Sequence, residues 1–468
     1  MVRVEIPRLI VSGLKGGSGK TIVSIAFTRY FNSLGLKVKP FKKGPDYIDA
    51  GWLSVASGHP ATNLDPFFMD KKEILYLFKK KTEGYDISII EGNRGLFDGK
   101  DIDGSCSTAQ LADVIKAPVI LVIDCTKMTR TVVPIIVGCA KFNPSVRIEG
   151  VIFNNTGGER HRRILRRCVE KYTDVKVIGA LPRFDSSLIF ERHMGLVSCK
   201  EVDSERMVDN LTKEVVSWLD MEVVKGIADK AGALNINYDF KDFWFEKEGD
   251  SKSVRIGIVK DASLWFYYPE NLEALEKMGA ELVEVSLLSD KEWPEIHGLY
   301  LGGGFPETMA EKLAENKKIK DHILKLSKMG MPIYAECGGL MYLCKNLIYK
   351  DKTYPMAGVF PITIELCKKP QGHGYTEIVI NRENPFFDLN DSFTGHEFHY
   401  SRCVSDIDTS MLIFSMKRGV GIKDKRDGLL YKNTLGCYNH LHVFANPKWA
   451  KRFVQASKNY KDLLKNNK

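Results

Sequence analysis

The stretch Leu9-Ile-Val-Ser-Gly-Leu-Lys-Gly-Gly-Ser-Gly-Lys-Thr21 decides the fold of the first part of this chain. An apolar, β-branched run leads into a glycine-rich turn, and an apolar segment with helical spacing begins near Thr21. The pattern predicts a buried strand, a tight loop and a helix. Because the amides of such a loop and helix N-terminus point at one spot, we expect them to bind phosphate oxygens.

The individual residues of this loop have expected roles in binding ATP. The glycines let the backbone approach the phosphates, Lys20 would neutralise the β- and γ-phosphates, and the Thr21 hydroxyl would ligate Mg²⁺. The nucleotide-binding residues that we predict here are Gly13, Lys15, Gly16, Gly17, Ser18, Gly19, Lys20 and Thr21.

The spacing of the loop departs from the common phosphate loop, because Gly13 stands one residue farther from Gly19 than usual. This longer loop resembles that of dethiobiotin synthetase-type amidoligases. Lys15, by contrast, resembles the extra signature lysine of the MinD/ParA ATPases. Both groups belong to one structural superfamily, so the loop alone leaves a ligase and an ATPase switch open.

The wider pattern predicts an α/β protein of two domains. With 468 residues the chain is too long for one ordinary domain. Short β-branched runs alternate with helical stretches, which is typical of a parallel sheet covered by helices. We expect a nucleotide-binding domain over 1–225, a linker over 226–252 and a second α/β domain over 253–468. The runs interpreted as strands are 9–12, 37–41, 87–90, 119–123 and 150–153, then others beginning at Arg255, Gly298 and Pro332.

Composition narrows the class of protein. A hydrophobic fraction of 44% and a charged fraction of 27% are typical of a folded, soluble chain. No apolar run approaches the ~20 residues that cross a bilayer, and no signal-peptide layout is present, so we expect a cytoplasmic protein without membrane contact. The net charge of +9 suggests anionic partners. The ten cysteines include no Cys-x-x-Cys pair, which argues against a zinc knuckle.

Carboxylates follow two of the predicted strands. Glu91 comes directly after the run 87–90, and Asp46 comes after the run 37–41, just beyond Lys42 and Lys43. Ligands bind outside the carboxyl ends of parallel strands, so these acids are expected to face the phosphate site. Hard oxygen ligands beside a triphosphate suit Mg²⁺. The predicted metal ligands are Thr21, Asp46 and Glu91.

Four phrases make a resemblance specific: Lys43-Gly-Pro-Asp-Tyr-Ile-Asp, Asn63-Leu-Asp, Glu91-Gly-Asn-Arg-Gly-Leu-Phe-Asp-Gly and Glu191-Arg-His-Met-Gly-Leu. In order, over essentially the whole chain, the sequence resembles the cobyrinic acid a,c-diamide synthase family. The resemblance implies a P-loop NTPase domain like those of dethiobiotin synthetase and MinD, followed by a class I glutamine amidotransferase-like α/β domain. It also implies ATP, Mg²⁺, L-glutamine and a cobyrinate-type tetrapyrrole polycarboxylate as ligands, with a homodimer as a candidate assembly.

The second domain carries a candidate nucleophile. Pro332-Ile-Tyr-Ala-Glu-Cys337-Gly-Gly is an apolar strand that enters a helix through a tight turn, which predicts an exposed Cys337 sulfur whose pKa the helix N-terminus lowers. Gly302-Gly-Gly could supply oxyanion-binding amides. Comparison with class I glutamine amidotransferases favours His440 as the base and leaves His442 in reserve. We identify no third, acidic member from the sequence.

Three further features of the sequence are the histidines of the second domain, a basic stretch and Asn155. His396 and His399, with His440 and His442, could form a metal cluster, but beside an elbow cysteine a structural pair at His396 and His399, or a wall of the domain interface, is favoured. The basic stretch 159–171 has apolar residues at helical spacing, which favours a surface helix over a nucleic-acid site. Asn155 follows a strand where related folds recognise the base, so we expect it to contact adenine.

Three functions remain open on the sequence. The first is glutamine-dependent amidation of the a and c acetates of cobyrinate through acyl phosphates, in cobalamin biosynthesis. The second is nickel-sirohydrochlorin a,c-diamide synthesis, since the reacting acetates are chemically alike. The third is a MinD/ParA-like ATPase switch, suggested by Lys15. A switch has no need of a fused cysteine elbow, so an amidoligase is favoured.

Overall fold

A computed structural model describes residues 2–184, 191–192, 195–196, 203–240, 243–246 and 252–466. The chain divides into two compact units, Met1–Phe240 and Lys241–Lys468. Both units are α/β structures built on a sheet of their own. Within the described part of the chain, none of the helices combines the length and the apolar character that spanning a membrane demands.

The strands and helices of the first unit alternate along most of its length. In chain order they are β1 (Val2–Val4), β2 (Arg8–Gly13), α1 (Lys20–Ser33), β3 (Val38–Lys43), α2 (Tyr47–Ser57), β4 (Thr62–Leu64), α3 (Lys71–Thr82), β5 (Ile87–Glu91), α4 (Thr108–Val114), β6 (Val119–Asp124), α5 (Val132–Phe142), β7 (Ile148–Thr156), α6 (Glu159–Tyr172), β8 (Lys176–Pro182), β9 (Glu191–Arg192), β10 (Gly195–Leu196), α7 (Ser204–Val216), α8 (Met221–Asp229) and β11 (Leu234–Ile236).

The first unit contains a seven-stranded sheet in the order β4-β3-β5-β2-β6-β7-β8. Every neighbouring pair in it is parallel. All residues of β2, β3 and β5 are buried, as expected for strands with covered faces. Since β2 lies between β5 and β6, with β3 beside β5, the loops after β2, β3 and β5 emerge side by side. The predicted parallel α/β fold is therefore confirmed.

The structure describes three stretches noted in the sequence, in whole or in part. The expected linker, 226–252, includes the end of α8 and the strand β11, which pairs with β1 in the first unit. Of the Glu191–Leu196 phrase, the structure describes two short antiparallel strands, and His193 and Met194 lie outside the described residues. The basic stretch forms α6, which buries only Leu165 and Val169 and is therefore an amphipathic surface helix.

The second unit is richer in strands than the first. In chain order its elements are β12 (Val254–Val259), β13 (Leu264–Phe266), α9 (Pro269–Lys277), β14 (Ala280–Val285), β15 (Gly298–Leu301), β16 (Gly303–Gly304), α10 (Ala310–Glu315), α11 (Lys317–Lys328), β17 (Ile333–Glu336), α12 (Gly338–Leu343), β18 (Cys344–Tyr349), β19 (Lys352–Pro355), β20 (Phe360–Leu366), β21 (Gly372–Ile380), β22 (Ser392–His399), β23 (Ser401–Cys403), β24 (Leu412–Arg418), β25 (Arg426–Tyr431), β26 (Thr434–Cys437), β27 (His440–Leu441) and α13 (Lys448–Asn466).

The main sheet of this unit has ten strands in the order β14-β12-β15-β17-β26-β25-β24-β21-β22-β27. Its first five strands are mutually parallel, and the remainder pair antiparallel. Cys337 follows β17, and the residues that lead to His440 follow its parallel neighbour β26. The topology thus brings two distant segments, around 337 and 440, to adjacent strand ends.

Candidate active sites

The phosphate loop of the first unit runs from the end of β2 to the start of α1. Gly19 has a φ of 97°, and a Cβ there would collide with the Asn154 side-chain amide, so the position requires glycine. Asn154 Nδ2 also donates to the Ser18 carbonyl at 3.0 Å, which ties the loop to the end of β7. Lys20 Nζ donates to the Lys15 carbonyl at 2.9 Å and so folds back over the loop.

The rim of this loop is open. A Cβ added at Gly16 or at Gly17 would meet no atom within 4 Å, which leaves room for an anion. The Lys15 side chain is 69% exposed and its Nζ lies 3.8 Å from Asp124 Oδ2. Asn155, at the end of β7, has a φ of 54° and also bonds Asp124. Lys15 and Asn155 therefore share one acidic contact beside the loop.

A cluster of buried charges lies next to Thr21. Lys42 Nζ is 2.6 Å from Asp49 Oδ2 and 2.9 Å from Glu91 Oε1. Thr21 Oγ1 donates to Glu91 Oε1 at 2.6 Å and approaches Asp49 Oδ2 at 3.4 Å. The Lys42 side chain is only 2% exposed and that of Glu91 is fully buried. The cluster connects β3, β5, α1 and α2.

The charges in this cluster set one another's pKa values. Burial alone would lower the pKa of Lys42, but the carboxylates of Asp49, Glu91 and Asp46 outweigh it and raise that pKa. Burial, with the negative charge of Asp49, raises the pKa of Glu91 to about 7. Burial also acts to raise the pKa of Asp49, but Lys42 brings it below its ordinary value. Burial and the charge of Lys42 lower the pKa of Lys20.

Asp46 occupies a different place from that of Asp49. It caps the N-terminus of α2, where its Oδ1 accepts the Asp49 amide at 2.9 Å, and its Oδ2 is 3.9 Å from Lys42 Nζ. The structure thus brings Thr21 and Glu91 together with Asp49, an acid that we did not select from the sequence. The sequence contained a signal for Asp49, because it stands three residues after Asp46. An aspartate at a helix N-cap commonly accepts the amide of the residue three positions later, which places that residue in the first turn of the helix.

The residues present fit Mg²⁺. Glu91 Oε2 is buried without a hydrogen-bond partner, and the Thr21 hydroxyl lies beside the same carboxylate. Magnesium usually takes one or two protein carboxylates and completes its shell with phosphate and water oxygens. Over the described residues, no group of three or more His, Cys, Asp or Glu side chains is arranged to hold a metal ion by itself. A site that shares its ion with a nucleotide agrees with both observations.

The cysteine of the second unit lies at a strained turn. Cys337 separates β17 from α12 with φ 46° and ψ −97°, a conformation that non-glycine residues rarely adopt. Its amide donates to the Cys437 carbonyl at 2.7 Å, which anchors the turn to the end of β26. Backbone strain of this kind concentrates at functional sites. The predicted strand–turn–helix geometry around Cys337 is confirmed.

The expectation of an exposed, acidic thiol is wrong. Cys337 is only 6% exposed. Burial, and then the negative charge of Glu307, raise the pKa of its thiol above the ordinary value. The six-residue helix α12 cannot offset that desolvation. The resting thiol is therefore protonated, and any nucleophilic role requires a neighbouring base.

A glycine loop lies against both the cysteine turn and His440. A Cβ on Gly338 would lie 2.9 Å from the Gly304 amide nitrogen, and a Cβ on Gly303 would collide with His440 Cε1. The Gly302 amide is already used, because it donates to the Tyr267 hydroxyl at 2.8 Å. Of the predicted oxyanion-binding loop, Gly304 therefore lies against the turn that follows Cys337, and Gly303 lies against the His440 ring.

The chain before His440 is fixed by a buried acid that the sequence did not reveal. Asp427 accepts the amides of Tyr438 and Asn439, each at 3.0 Å from Oδ2. Burial raises the pKa of Asp427 to about 6. These bonds set the path of the backbone that delivers His440. Asp427 lies on β25, a strand that sequence reasoning did not place.

The other histidines have contacts of their own. The His396 ring stacks on His440 with centroids 4.8 Å apart, and burial, followed by the charge of His440, brings the pKa of His396 well below its ordinary value. His399 Nδ1 contacts the Ser401 carbonyl at 2.7 Å, and its ring stacks on Tyr438. His442 Nε2 is 3.7 Å from Glu270 Oε2, with both side chains fully buried. His396 and His399 thus have the structural surroundings that the sequence favoured.

Comparison with known proteins agrees with this division of the chain. Residues 9–196 match the family described as the CobQ/CobB/MinD/ParA nucleotide binding domain. Residues 255–448 match the CobB/CobQ-like glutamine amidotransferase domain. The two domains on one chain define an ATP-dependent, glutamine-hydrolysing carbon–nitrogen ligase, and the fused amidotransferase domain excludes a simple ATPase switch.

Relatives that match over nearly their whole length show to which family of ligases the chain belongs. A cobyrinate a,c-diamide synthase of Magnetococcus marinus is 40% identical over 95% of this chain and 96% of that protein. Proteins of the same name from Archaeoglobus fulgidus and Picrophilus torridus are 39% and 38% identical, each over 97% of this chain. The chain belongs to the cobyrinate a,c-diamide synthase family, so the resemblance drawn from the sequence is confirmed.

The charge cluster predicts that Asp49 and Asp46 contribute unequally to stability. Replacing Asp49 with Asn removes a close carboxylate from the buried Lys42 and should destabilise the surrounding structure by about 3 kcal/mol. Replacing Asp46 with Asn should cost less than about 1 kcal/mol, because asparagine also caps helices. Hydrogen exchange of peptides from β3 and β5, read by mass spectrometry, measures both. Equal loss of protection in the two variants would contradict the assignment.

Proposed function

We propose that this protein is a cobyrinate a,c-diamide synthase that amidates the a and c acetate carboxylates of cobyrinate in cobalamin biosynthesis. The observation that carries the proposal is that the Cys337–Gly338 turn and His440 both lie against the Gly303–Gly304 loop, in a chain that also holds the phosphate loop with its buried carboxylates. The names of the relatives support cobyrinate as the substrate. The proposal includes ATP with Mg²⁺ and a cytoplasmic location.

The second unit releases ammonia in this proposal. His440 takes the proton from the Cys337 thiol, and the thiolate attacks the amide carbon of glutamine. The burial that keeps the thiol protonated at rest makes this base necessary. Amides of the Gly303–Gly304 loop stabilise the oxyanion that forms. His440 then returns the proton to the leaving nitrogen, ammonia departs, and water cleaves the thioester to glutamate.

The first unit activates the acceptor. A substrate carboxylate attacks the γ-phosphorus of ATP, a new C–O–P bond forms, the β–γ bridge breaks and ADP leaves. Lys20 and the loop amides stabilise the charge on the transferring group. Thr21 and Glu91, together with Asp49 or Asp46, would hold Mg²⁺, whose charge neutralises the phosphates. Ammonia then attacks the acyl carbon, and phosphate leaves with one former carboxylate oxygen.

The remaining predicted contacts complete the proposal. Lys15 would bind phosphate from the exposed rim of the loop, where its contact with Asp124 can be exchanged for an anion. Asn155 would contact adenine from the end of β7. The sequence suggested Lys42 and Lys43 as positive charge for the polycarboxylate, but both are buried beside acids of the first unit, so in this proposal they offset those carboxylates.

Separation of the two activities is the first test. Cys337→Ser should lower glutamine-dependent amidation more than about 1,000-fold, because the hydroxyl is a far poorer nucleophile, while amidation driven by ammonium chloride persists. Diamide formation is followed by mass spectrometry with cobyrinate as acceptor. A folded variant that loses the ammonia-driven reaction as well would contradict the assignment.

The reciprocal variant serves as the matched control. Lys20→Ala should remove amidation with either nitrogen source, since it weakens stabilisation of the phosphoryl group in the first unit. Its glutaminase activity should remain measurable, because Cys337 and His440 are untouched.

The identity of the acceptor is tested by comparing two substrates. Offered cobyrinate and nickel-sirohydrochlorin separately at equal concentration, the enzyme should form diamide from cobyrinate with the larger kcat/KM. A higher kcat/KM with nickel-sirohydrochlorin would replace the proposed substrate by its alternative and leave the ligase chemistry intact.

A further inference from the structure

A glutamate with no assigned role lies directly before the cysteine. Glu336 is the last residue of β17 and its side chain is fully buried. Its Oε1 accepts the Leu441 amide at 3.1 Å, and its Oε2 lies 3.4 Å from His440 Nδ1. One carboxylate therefore contacts both the backbone and the ring of the segment that carries the proposed base.

The burial of Glu336 indicates that this residue has a function. A carboxylate without solvent costs several kcal/mol unless hydrogen bonds or a positive charge compensate it. The other residues of β17 are Ile333, Tyr334 and Ala335, all buried. An apolar residue at 336 would suit the interior of this sheet better, so a glutamate there conflicts with the local pattern. Such conflicts are expected at functional sites.

The fold explains how residues so far apart in sequence meet. β17 pairs in parallel with β26, with Glu336 opposite Cys437. The chain continues from Cys437 to His440 past the end of β26, where Asp427 and Thr376 hold it. Glu336 therefore reaches His440 from the neighbouring strand end, while Cys337 begins the turn on its own strand. The nucleophile and the acid come from adjacent positions of the chain.

We propose that Glu336 is the positioning residue of His440. Its carboxylate holds Nδ1, leaves Nε2 as the nitrogen that takes the thiol proton, and stabilises the imidazolium that results. The inference rests on the proposed roles of Cys337 and His440, and it supplies the acidic member of the site that the sequence did not reveal. Catalytic hydrogen bonds in free enzymes are often long and tighten on substrate binding, which the 3.4 Å contact allows.

A second histidine–glutamate pair competes for this role. His442 Nε2 is 3.7 Å from Glu270 Oε2, and both are buried. Glu270 belongs to α9, whereas Glu336 is covalently next to the nucleophile. Gly303, a member of the proposed oxyanion-binding loop, also lies against the His440 ring. The geometry favours the pair of His440 and Glu336.

The first experiment measures glutamine hydrolysis by Glu336→Gln, with Glu397→Gln as the matched control. Glu397 is also a buried glutamate of this unit, 3.7 Å from His399, and its carboxylate accepts the amides of Val420 and Gly421. It is a stringent control, because its neighbours Phe398 and His396 contact Cys337 and His440 while its own carboxylate has these other partners. Glu336→Gln should lower kcat about 100-fold or more with KM within about threefold, because the interaction matters in the transition state. Glu397→Gln should keep kcat within about threefold. Equal kcat in the two variants would overturn the inference.

A double-variant comparison separates positioning from a structural role. If Glu336 acts through His440, adding Glu336→Gln to His440→Ala should cost less than about a further twofold in glutaminase kcat. A structural role predicts the same large loss in either background. Thermal unfolding of each variant, and amidation with ammonium chloride, check that the protein is folded and that the first unit still works.

The remaining outcomes are distinct. If Cys337→Ser keeps glutaminase activity, the proposed function of this site fails, whatever Glu336 does. If Cys337→Ser is inactive but Glu336→Gln is not impaired, only the inference fails. Loss of kcat in Glu270→Gln rather than in Glu336→Gln would transfer the positioning role to the pair with His442 and would likewise overturn it.

Discussion

The buried positive charge of Lys42 is the constraint around which the first unit is organised. A side chain that is 2% exposed keeps its charge only where carboxylates surround it, and Asp49 and Glu91 lie within 2.9 Å of its Nζ. These contacts require that β3 and β5 be neighbours and that α2 start close to Thr21. The same arrangement leaves Glu91 Oε2 without a hydrogen-bond partner beside the phosphate loop. The charge cluster therefore links the stability of the sheet to the place where a triphosphate and its ion would bind.

In both units, burial raises the pKa of a side chain that the proposed chemistry uses in its charged form. In the first unit, burial of carboxylates raises the pKa of Glu91 to about 7, and the adjacent lysine compensates their charge. In the second, burial raises the pKa of the Cys337 thiol, so the proposed mechanism needs a base to remove its proton. A neutral resting thiol is less exposed to oxidation and to side reactions than a thiolate. In the proposed mechanism, ammonia release therefore depends on the imidazole of His440 and on the side chain that holds that imidazole in place.

The sequence predicted local features well and long-range partners poorly. The strand–loop–helix of the phosphate site and the turn at Cys337 were predictable because glycine spacing and apolar runs report local geometry. Asp49 was missed since its role depends on Asp46 being used as a helix cap. The antiparallel half of the second sheet went unrecognised, because strands such as β21 have mixed burial and pair with segments distant in sequence. Glu336 was missed because its contact with His440 exists only once β17 and β26 pair.

The central claim is that a substrate carboxylate, rather than water, accepts the γ-phosphoryl group. Cobyrinate labelled with ¹⁸O in its acetate carboxylates, incubated with the enzyme, ATP and glutamine, tests this claim directly when the released phosphate is analysed by mass spectrometry. The account predicts one ¹⁸O atom in phosphate for each amide formed, because the oxygen that ammonia displaces leaves with the phosphoryl group. Amide formed alongside unlabelled phosphate would contradict the acyl phosphate and the account built on it.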